Sequence, residues 1–473
     1  MRRSTLSLAA VFAFAAACRA PRASAPAAGE RAIAWRYEVT AGEGAQELSI
    51  DARFAAGAVA SFGLLEACGS FVRDLELEGE DGAYSPVAQG ADGWSLEPCA
   101  VRDCHLRYRF LLRDAAAAID DADRAKLHGA DAIESPPGAF LIHPREVGPE
   151  SSYRFHVTSS RDTRFVSGVH RVGDASSSTY EAPAWLLEYA PPSAFGALTV
   201  LPIRIGGATF ELARMSGALS RDDAGLSAWV EHSAGALVDL YRGFPIDRVL
   251  LLVEPAEGDR LEGITFGNGG ASIRLSLGHT VDPEGDEGWI LVHELLHVAF
   301  PSLDREHNWL EEGISTYVEP LARVRKGQIS VDKVWGDMID GMPQGLPEPG
   351  DQGLDRTHTW GRTYWGGAIF CLLADVAIRT KTSHTFEDVL RAMAAAGGNV
   401  SMNWELEKVI EIGDRANGLP ILESLYRRQA LEPDAVDLPA LWKSLGVSKV
   451  GDRVVYDDAA PLAPIRKAIT AGG

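Results

Sequence analysis

Residues 289–300 read WILVHELLHVAF, a helical run that is apolar around most of its circumference. A helix greasy on nearly every side has to be wrapped by the rest of the chain. This one also carries His293, Glu294 and His297, and polar groups taken out of water need partners inside the fold. The chain must therefore build a core that encloses the helix and still bring matching chemistry to three of its side chains. With 473 residues, 46% of them hydrophobic and 23% charged, it has material for two or three domains with sizeable cores.

The spacing H-E-x-x-H puts the two imidazoles one turn apart on the same helix face. Two nitrogens so placed can grip a single tetrahedral zinc ion, one per chain. Glu294 is rotated about 100° around the axis from His293, beside the water that such a metal activates, where it can act as general base. Zinc lowers the pKa of that water to about 7. Pro301 stops the helix, a charged loop comes next, and NWLEEGISTYVEP opens a second helix with Asn308 as its expected N-cap. Fourteen residues lie between His297 and Glu312, enough to turn back and present a carboxylate as third ligand. A catalytic zinc needs three protein ligands and an open fourth position. Spacing alone admits Glu311 as well as Glu312 in this role.

The rest of the chain falls into three regions. From Ala32 to Tyr189 the signal is short β-rich segments, AIAWRYEVT, QELSIDARF, HLRYRFLLR, SYRFHVTS and RFVSGVHR among them, separated by turn residues. This predicts an N-terminal β-sandwich-like domain over 32–190, interrupted by a short helix in RDAAAAIDDADRAKLHGAD. Pro191 and Pro192 mark the expected boundary. Residues 191–325 mix strands with helices and hold the zinc motif. Residues 326–473 are mostly helical and complete the active site. The fold class is α+β, multidomain, with no internal repeat.

HELLH followed by WLEEG resembles the gluzincin metallopeptidases, which carry H-E-x-x-H and then W-L-x-E-G. The trailing ISTYVE is similar to the continuation in the aminopeptidase N branch. RTYWGGAIFCLLADVAIRT resembles the Y-x-K-G-A and L-D-x-x-I-R segment of the glycyl aminopeptidase family. The resemblance spans residues 195–395, with a weaker echo in ADAIESPPGAFLIHPREVGPESSYRFHV. It implies a thermolysin-like catalytic domain, a small sheet plus the HELLH helix, and Glu312 rather than Glu311 as third ligand. It further implies Tyr364 as donor to the oxyanion of the tetrahedral intermediate, where growing charge needs a preplaced donor; Tyr317, the other candidate, is expected in the core. Thr316 and Glu319, one and nearly two turns beyond Glu312, are expected either to support the ligands or to pack. The expected activity is a zinc metallopeptidase acting on peptide or protein substrates. Two other readings fit the same chain, a binding or scaffold protein that kept the fold without turnover and a zinc hydrolase of a non-peptide bond.

FGNGGASIRLSL stands where the family has the strand that lies along the substrate, so Gly269, Gly270 and Ala271 are the expected substrate-binding residues, with the peptide added as a strand along GGASIRLSL. The family's amine-binding glutamate in G-G-G-x-E-H is absent there; Ala271 and Ser272 stand nearby instead, and an unpaired buried amine would be poorly held. The linker from His297 to the third ligand is shorter than the family's. The stretch after LPALWKSLGVSKVGD is too short for the PDZ domain that glycyl aminopeptidases often append.

MRRSTLSLAAVFAFAAACRA, with Arg2 and Arg3 before an apolar run to Ala17, reads as a signal peptide over 1–17. The small residues before Cys18 resemble a bacterial lipoprotein signal, which implies acylation of Cys18 and membrane attachment; the alternative is plain cleavage after an A-x-A site and secretion. Residues 18–31, rich in Ala and Pro, form a tether. Export permits disulfides: Cys99 and Cys104 can close a small loop or either can bridge to Cys68, while Cys371 is expected as a buried thiol. The formal charge of −21, with no basic cluster, argues against nucleic acid as a partner.

Overall fold

The computed structural model describes residues 32–148, 150–283 and 288–471. The expected signal peptide, Cys18 and the whole of the tether lie outside these residues. Ala32–Ala41 alternates strictly enough to bury Trp35, Tyr37, Val39 and Ala41 on one face. It lies in a seven-stranded mixed sheet, parallel to Ser151–Ser159 and antiparallel to Leu48–Phe54. Smaller three- and four-stranded sheets share its apolar core, in which Phe62, Trp94, Ile133 and Phe195 join residues of the large sheet. The expected interrupting helix is Leu112–Ile119. Cys99 and Cys104 form the disulfide, and Cys68 and Cys371 are buried thiols.

The β-rich region runs past the expected boundary at 190. Ser193–Gly196 pairs with Ala132–Glu134 and Arg164–Ser167, so Pro191 and Pro192 introduce a strand instead of ending the domain. The next sheet has five strands in the order Thr199–Ile205, Ala208–Arg214, Arg248–Ala256, Ser272–Gly278, Leu261–Phe266. Its central strand, RVLLLVEPA, is apolar without alternation because both faces are covered. Val249, Leu251 and Val253 face the helical core, whereas Leu250 and Leu252 meet Ala132, Val166 and Ala194 of the β-rich region.

One apolar core reaches from Ile203 to Ile469. The stretches 191–325 and 326–473 therefore do not fold around separate interiors; the later helices finish the core that the five-stranded sheet begins. No helix among the described residues is long and apolar enough to cross a membrane.

The sheet order corrects one expectation. Ser272–Gly278 is an inner strand, paired on one side with Arg248–Ala256 and on the other with Leu261–Phe266. The outer edge is LEGITF. Gly269, Gly270 and Ala271 form the turn between the two and pack on the β-rich region: Gly270 bridges to Val169, and the Ala271 N–H donates to the Gly168 carbonyl at 3.1 Å. A Cβ on Gly270 would stand 1.9 Å from that same carbonyl oxygen. Close backbone approach explains the glycine, but the approaching backbone is the chain's own.

Candidate metal centre and active site

The HELLH helix runs Trp289–Val298 and is buried along almost its whole length, with His293 and Glu294 buried among Leu291, Val292, Leu295 and Leu296. The next helix, Asn308–Arg325, is entered from a 3-10 turn at Arg305–His307 rather than from an Asn308 cap. Its start is held from outside. Asp355 accepts from the Trp309 indole N–H at 2.8 Å and the Tyr426 hydroxyl at 2.8 Å, and lies 3.0 Å from His307 Nδ1.

That anchoring decides which carboxylate returns to the histidines. Glu311 is buried with its Oε1 accepting from the Leu303 backbone N–H at 2.9 Å, a bond that fixes the loop after the HELLH helix. Glu312, one residue on, projects to the other side. Its Oε2 lies 3.3 Å from His293 Nε2 and 3.3 Å from His297 Nε2, and the two Nε2 atoms are themselves 3.3 Å apart. These three are the one group of potential metal ligands found among the described residues.

The triangle fits a zinc ion. Four ligands placed tetrahedrally at about 2.0–2.1 Å are separated from one another by about 3.3–3.4 Å. Glu312 Oε2 is buried without a hydrogen-bond partner, and electron-pair donors converging in this way are costly unless a cation lies among them. Burial disfavours the His297 imidazolium, but the neighbouring Glu312, Glu294 and Glu311 carboxylates outweigh it and lift its pKa to about 9. Burial likewise opposes the Glu312 carboxylate, yet the two imidazoles hold its pKa far below the usual range. The pocket is tuned to keep negative charge facing positive.

Tyr364 stands over the same centre. It lies in a single wide π-type turn, Arg362–Gly366, that leads into the helix Gly367–Lys381; such turns recur where a side chain must be re-aimed at a site. Its ring stacks 6.4 Å from His293, and its phenol feels the charge of the Glu312 carboxylate. Burial, reinforced by the Glu312 and Glu294 charges, raises the phenol pKa well above its ordinary value, so the hydroxyl keeps its proton and remains a donor.

Two glycines bring this helix so near. A Cβ on Gly313 would be 2.4 Å from the backbone of Gly367, and one on Gly367 would be 2.1 Å from the Trp309 carbonyl oxygen. The glycines of WLEEG and TYWGG let two backbones touch, with Glu312 and Tyr364 flanking the contact. Farther along, the Tyr317 hydroxyl donates to Asp375 Oδ2 at 2.9 Å and ties the same two helices together, while Arg379 Nε, one turn on in Asp375's own helix, donates to Asp375 Oδ1 at 2.7 Å. Tyr317 is in the core, not at the centre. Glu319 is buried and accepts from Arg323 one turn on, at 3.0 Å.

Glu294 reaches the opposite side, against the outer strand. The Thr265 hydroxyl lies 2.7 Å from Glu294 Oε2 and 3.0 Å from the Glu294 carbonyl oxygen. A Cβ on Gly263 would meet Glu294 Cγ at 2.6 Å. Neither Thr265 nor Gly263 is singled out by the sequence; a short LEGITF run carries no motif, and only its place at the sheet edge exposes the pair. Asp355 is equally silent in sequence. The structure thus gathers His293, His297, Glu312, Glu294 and Tyr364, while Gly269, Gly270 and Ala271 pack on the β-rich region.

No protein-family model matches the chain, and no curated protein matches it in sequence. Solved structures do match its fold. An aminopeptidase N family protein from Idiomarina loihiensis aligns with a TM-score of 0.62 at 14% identity, covering 87% of this chain and 78% of its own. A variant of the M1 zinc metallopeptidase from Deinococcus radiodurans aligns at 0.52 and 14% identity, covering 86% and 96%. A variant of that enzyme bound to a Tyr-Ser-Ala substrate aligns at 0.51 and 13% identity, again covering 86% and 96%. The α/β architecture of this chain is one those proteins share.

Proposed function

We propose that the chain is a zinc-dependent peptidase. The observation that carries this reading is the equilateral set of His293 Nε2, His297 Nε2 and Glu312 Oε2, with Glu294 and Tyr364 close by. Two of the structures sharing the fold are zinc metallopeptidases, one of them holding a Tyr-Ser-Ala substrate, which supports the same chemistry. A zinc ion held by the three ligands would supply Lewis acidity to the substrate carbonyl and acidify the attacking water.

The chain's own residues do the remainder. An extended peptide is received as an added strand along the outer edge, Leu261–Phe266, whose other side is already paired with Ser272–Gly278. Glu294 takes a proton from the attacking water and later delivers it to the leaving amine. The Tyr364 phenol donates to the carbonyl oxygen as negative charge develops there. Buried leucines and valines of the HELLH helix keep bulk water from the centre. The protein is exported, in keeping with the Cys99–Cys104 disulfide, and is anchored to a membrane through Cys18.

The test is peptide cleavage by the zinc-loaded wild type and by Glu294→Gln, with amino-terminally free and blocked peptides side by side. Cleavage by the wild type, abolished by a chelator, restored by zinc and lost by about 100- to 10,000-fold in Glu294→Gln at unchanged zinc content, is the expected result. Full zinc with no cleavage of any peptide would favour a scaffold or a non-peptide hydrolase. Mass spectrometry of the mature amino terminus tests acylation of Cys18.

A further inference from the structure

We propose that Thr265 is the positioning residue that fixes Glu294 for catalysis. The proposal rests on the peptidase reading for Glu294's task, and on the outer strand for everything else. A glutamate side chain has three rotatable bonds and, left alone, samples many rotamers. Here the Thr265 hydroxyl reaches both ends of that side chain, 2.7 Å from Oε2 and 3.0 Å from the carbonyl oxygen of the same residue. A hydroxyl has one proton and two lone pairs. Its single proton is shared between two acceptors on one residue, with the carboxylate the nearer, so the hydroxyl holds the Glu294 head against the strand and narrows its choice of rotamers. One carboxylate oxygen is thereby occupied, and the other is left for water.

Gly263 completes the seat. It lies two residues before Thr265, so both side-chain positions point to the same face of the strand. The space a Cβ would take at 263 belongs to Glu294 Cγ, 2.6 Å away. The strand thus has no side chain where the stem of Glu294 lies and a hydroxyl where its head lies. This is also the strand on which the peptide would be registered. The part that places the scissile carbonyl then also places the base, and small errors in their relative position are costly in rate.

The experiment compares zinc-loaded wild type, Thr265→Val, which keeps the shape and loses the hydroxyl, and Thr265→Ser, which keeps the hydroxyl. Crystal structures and peptide kinetics are read together. Thr265→Val should bind one zinc per chain, show a Glu294 carboxylate displaced or spread over several positions, and lose about 10- to 100-fold in kcat with KM changed less than about threefold. Thr265→Ser should restore both position and rate. In a Glu294→Gln background Thr265→Val should cost nothing further, because the two act as one unit.

A wild-type carboxylate position with wild-type kcat in Thr265→Val overturns the proposal. So does a Thr265→Ser no better than Thr265→Val, or a full additional loss in the double variant. Should Thr265→Val not fold, Thr265→Ala, which also removes the hydroxyl, takes its place with the same expectations. If the wild type cuts no peptide, the peptidase reading fails by itself, and the carboxylate positions in the crystals still decide whether Thr265 holds Glu294.

Discussion

Gly313→Ala adds one methyl group where the helix of the third ligand crosses the helix of Tyr364. The new Cβ would lie 2.4 Å from Gly367 Cα and its carbonyl carbon, whereas ordinary contact begins at 3.4 Å. Both partners are backbone, so no side chain can swing aside, and the helices must separate by about 1 Å. Overpacking of this kind costs about 1–3 kcal/mol of stability. The consequence for the centre is larger. Glu312 is the residue next to Gly313, and its Oε2 closes a triangle whose sides are 3.3 Å. Metal–ligand bonds tolerate about ±0.2 Å, so a shift of about 1 Å removes a ligand. We expect zinc affinity to fall by at least about 10- to 100-fold and activity with it. The assay is competition of the apoprotein with a chromophoric zinc chelator, alongside thermal melts. Gly235→Ala is the control, because a Cβ at that helical position meets nothing within 4 Å, and it should leave zinc binding unchanged. Wild-type affinity and turnover in Gly313→Ala would refute the reasoning.

The same geometry sets other expectations. Tyr364→Phe should keep its zinc and lose about 100- to 1,000-fold in kcat, read from steady-state kinetics. Glu312→Gln should weaken zinc by more than about 100-fold, whereas Glu311→Gln, which keeps an acceptor for the Leu303 N–H, should bind it normally; equilibrium dialysis separates the two. His128, between Glu134 and Glu254 where the β-rich region meets the catalytic sheet, has its pKa raised to about 9: burial opposes its charge, but the two carboxylates outweigh it. Its contribution to stability is full below the unfolded value of 6.5 and is lost as pH rises through 9. Glu254, opposed by burial but held down to about 2 chiefly by His128, contributes above 4.5 and loses that contribution as pH falls through 2. Thermal melts of wild type and His128→Gln should therefore differ most between pH 4.5 and 6.5 and converge towards pH 9 and above.

The candidate metal ligands are legible in the sequence because their chemistry is written at fixed helical spacing. His293, Glu294 and His297 need only one helix to meet, and Glu312 and Tyr364 stand in motifs that name their positions. Glu311 and Glu312 are separated by resemblance but not by spacing, since the choice depends on a backbone N–H eight residues earlier, at Leu303. The strand at the sheet edge differs from expectation for a topological reason. LEGITF and ASIRLSL are both short β-rich runs, and which lies outside depends on a crossover that places Ser272–Gly278 beside Arg248–Ala256. The glycine run does mark a close backbone approach, but its partner, Gly168, is distant in sequence. The domain limit is displaced for a similar reason, because Pro191 and Pro192 can begin a strand as well as end a region. Thr265, Gly263 and Asp355 act only through residues far along the chain, and periodicity does not report such contacts.

Zinc-edge X-ray absorption on the purified, zinc-loaded protein tests the central claim most directly. Two imidazoles, one carboxylate and one further light-atom ligand at about 2.0–2.1 Å, with no sulfur, is the predicted spectrum. A sulfur shell at about 2.3 Å, pointing to Cys68 or Cys371, or a spectrum unaltered in Glu312→Gln, would contradict the account.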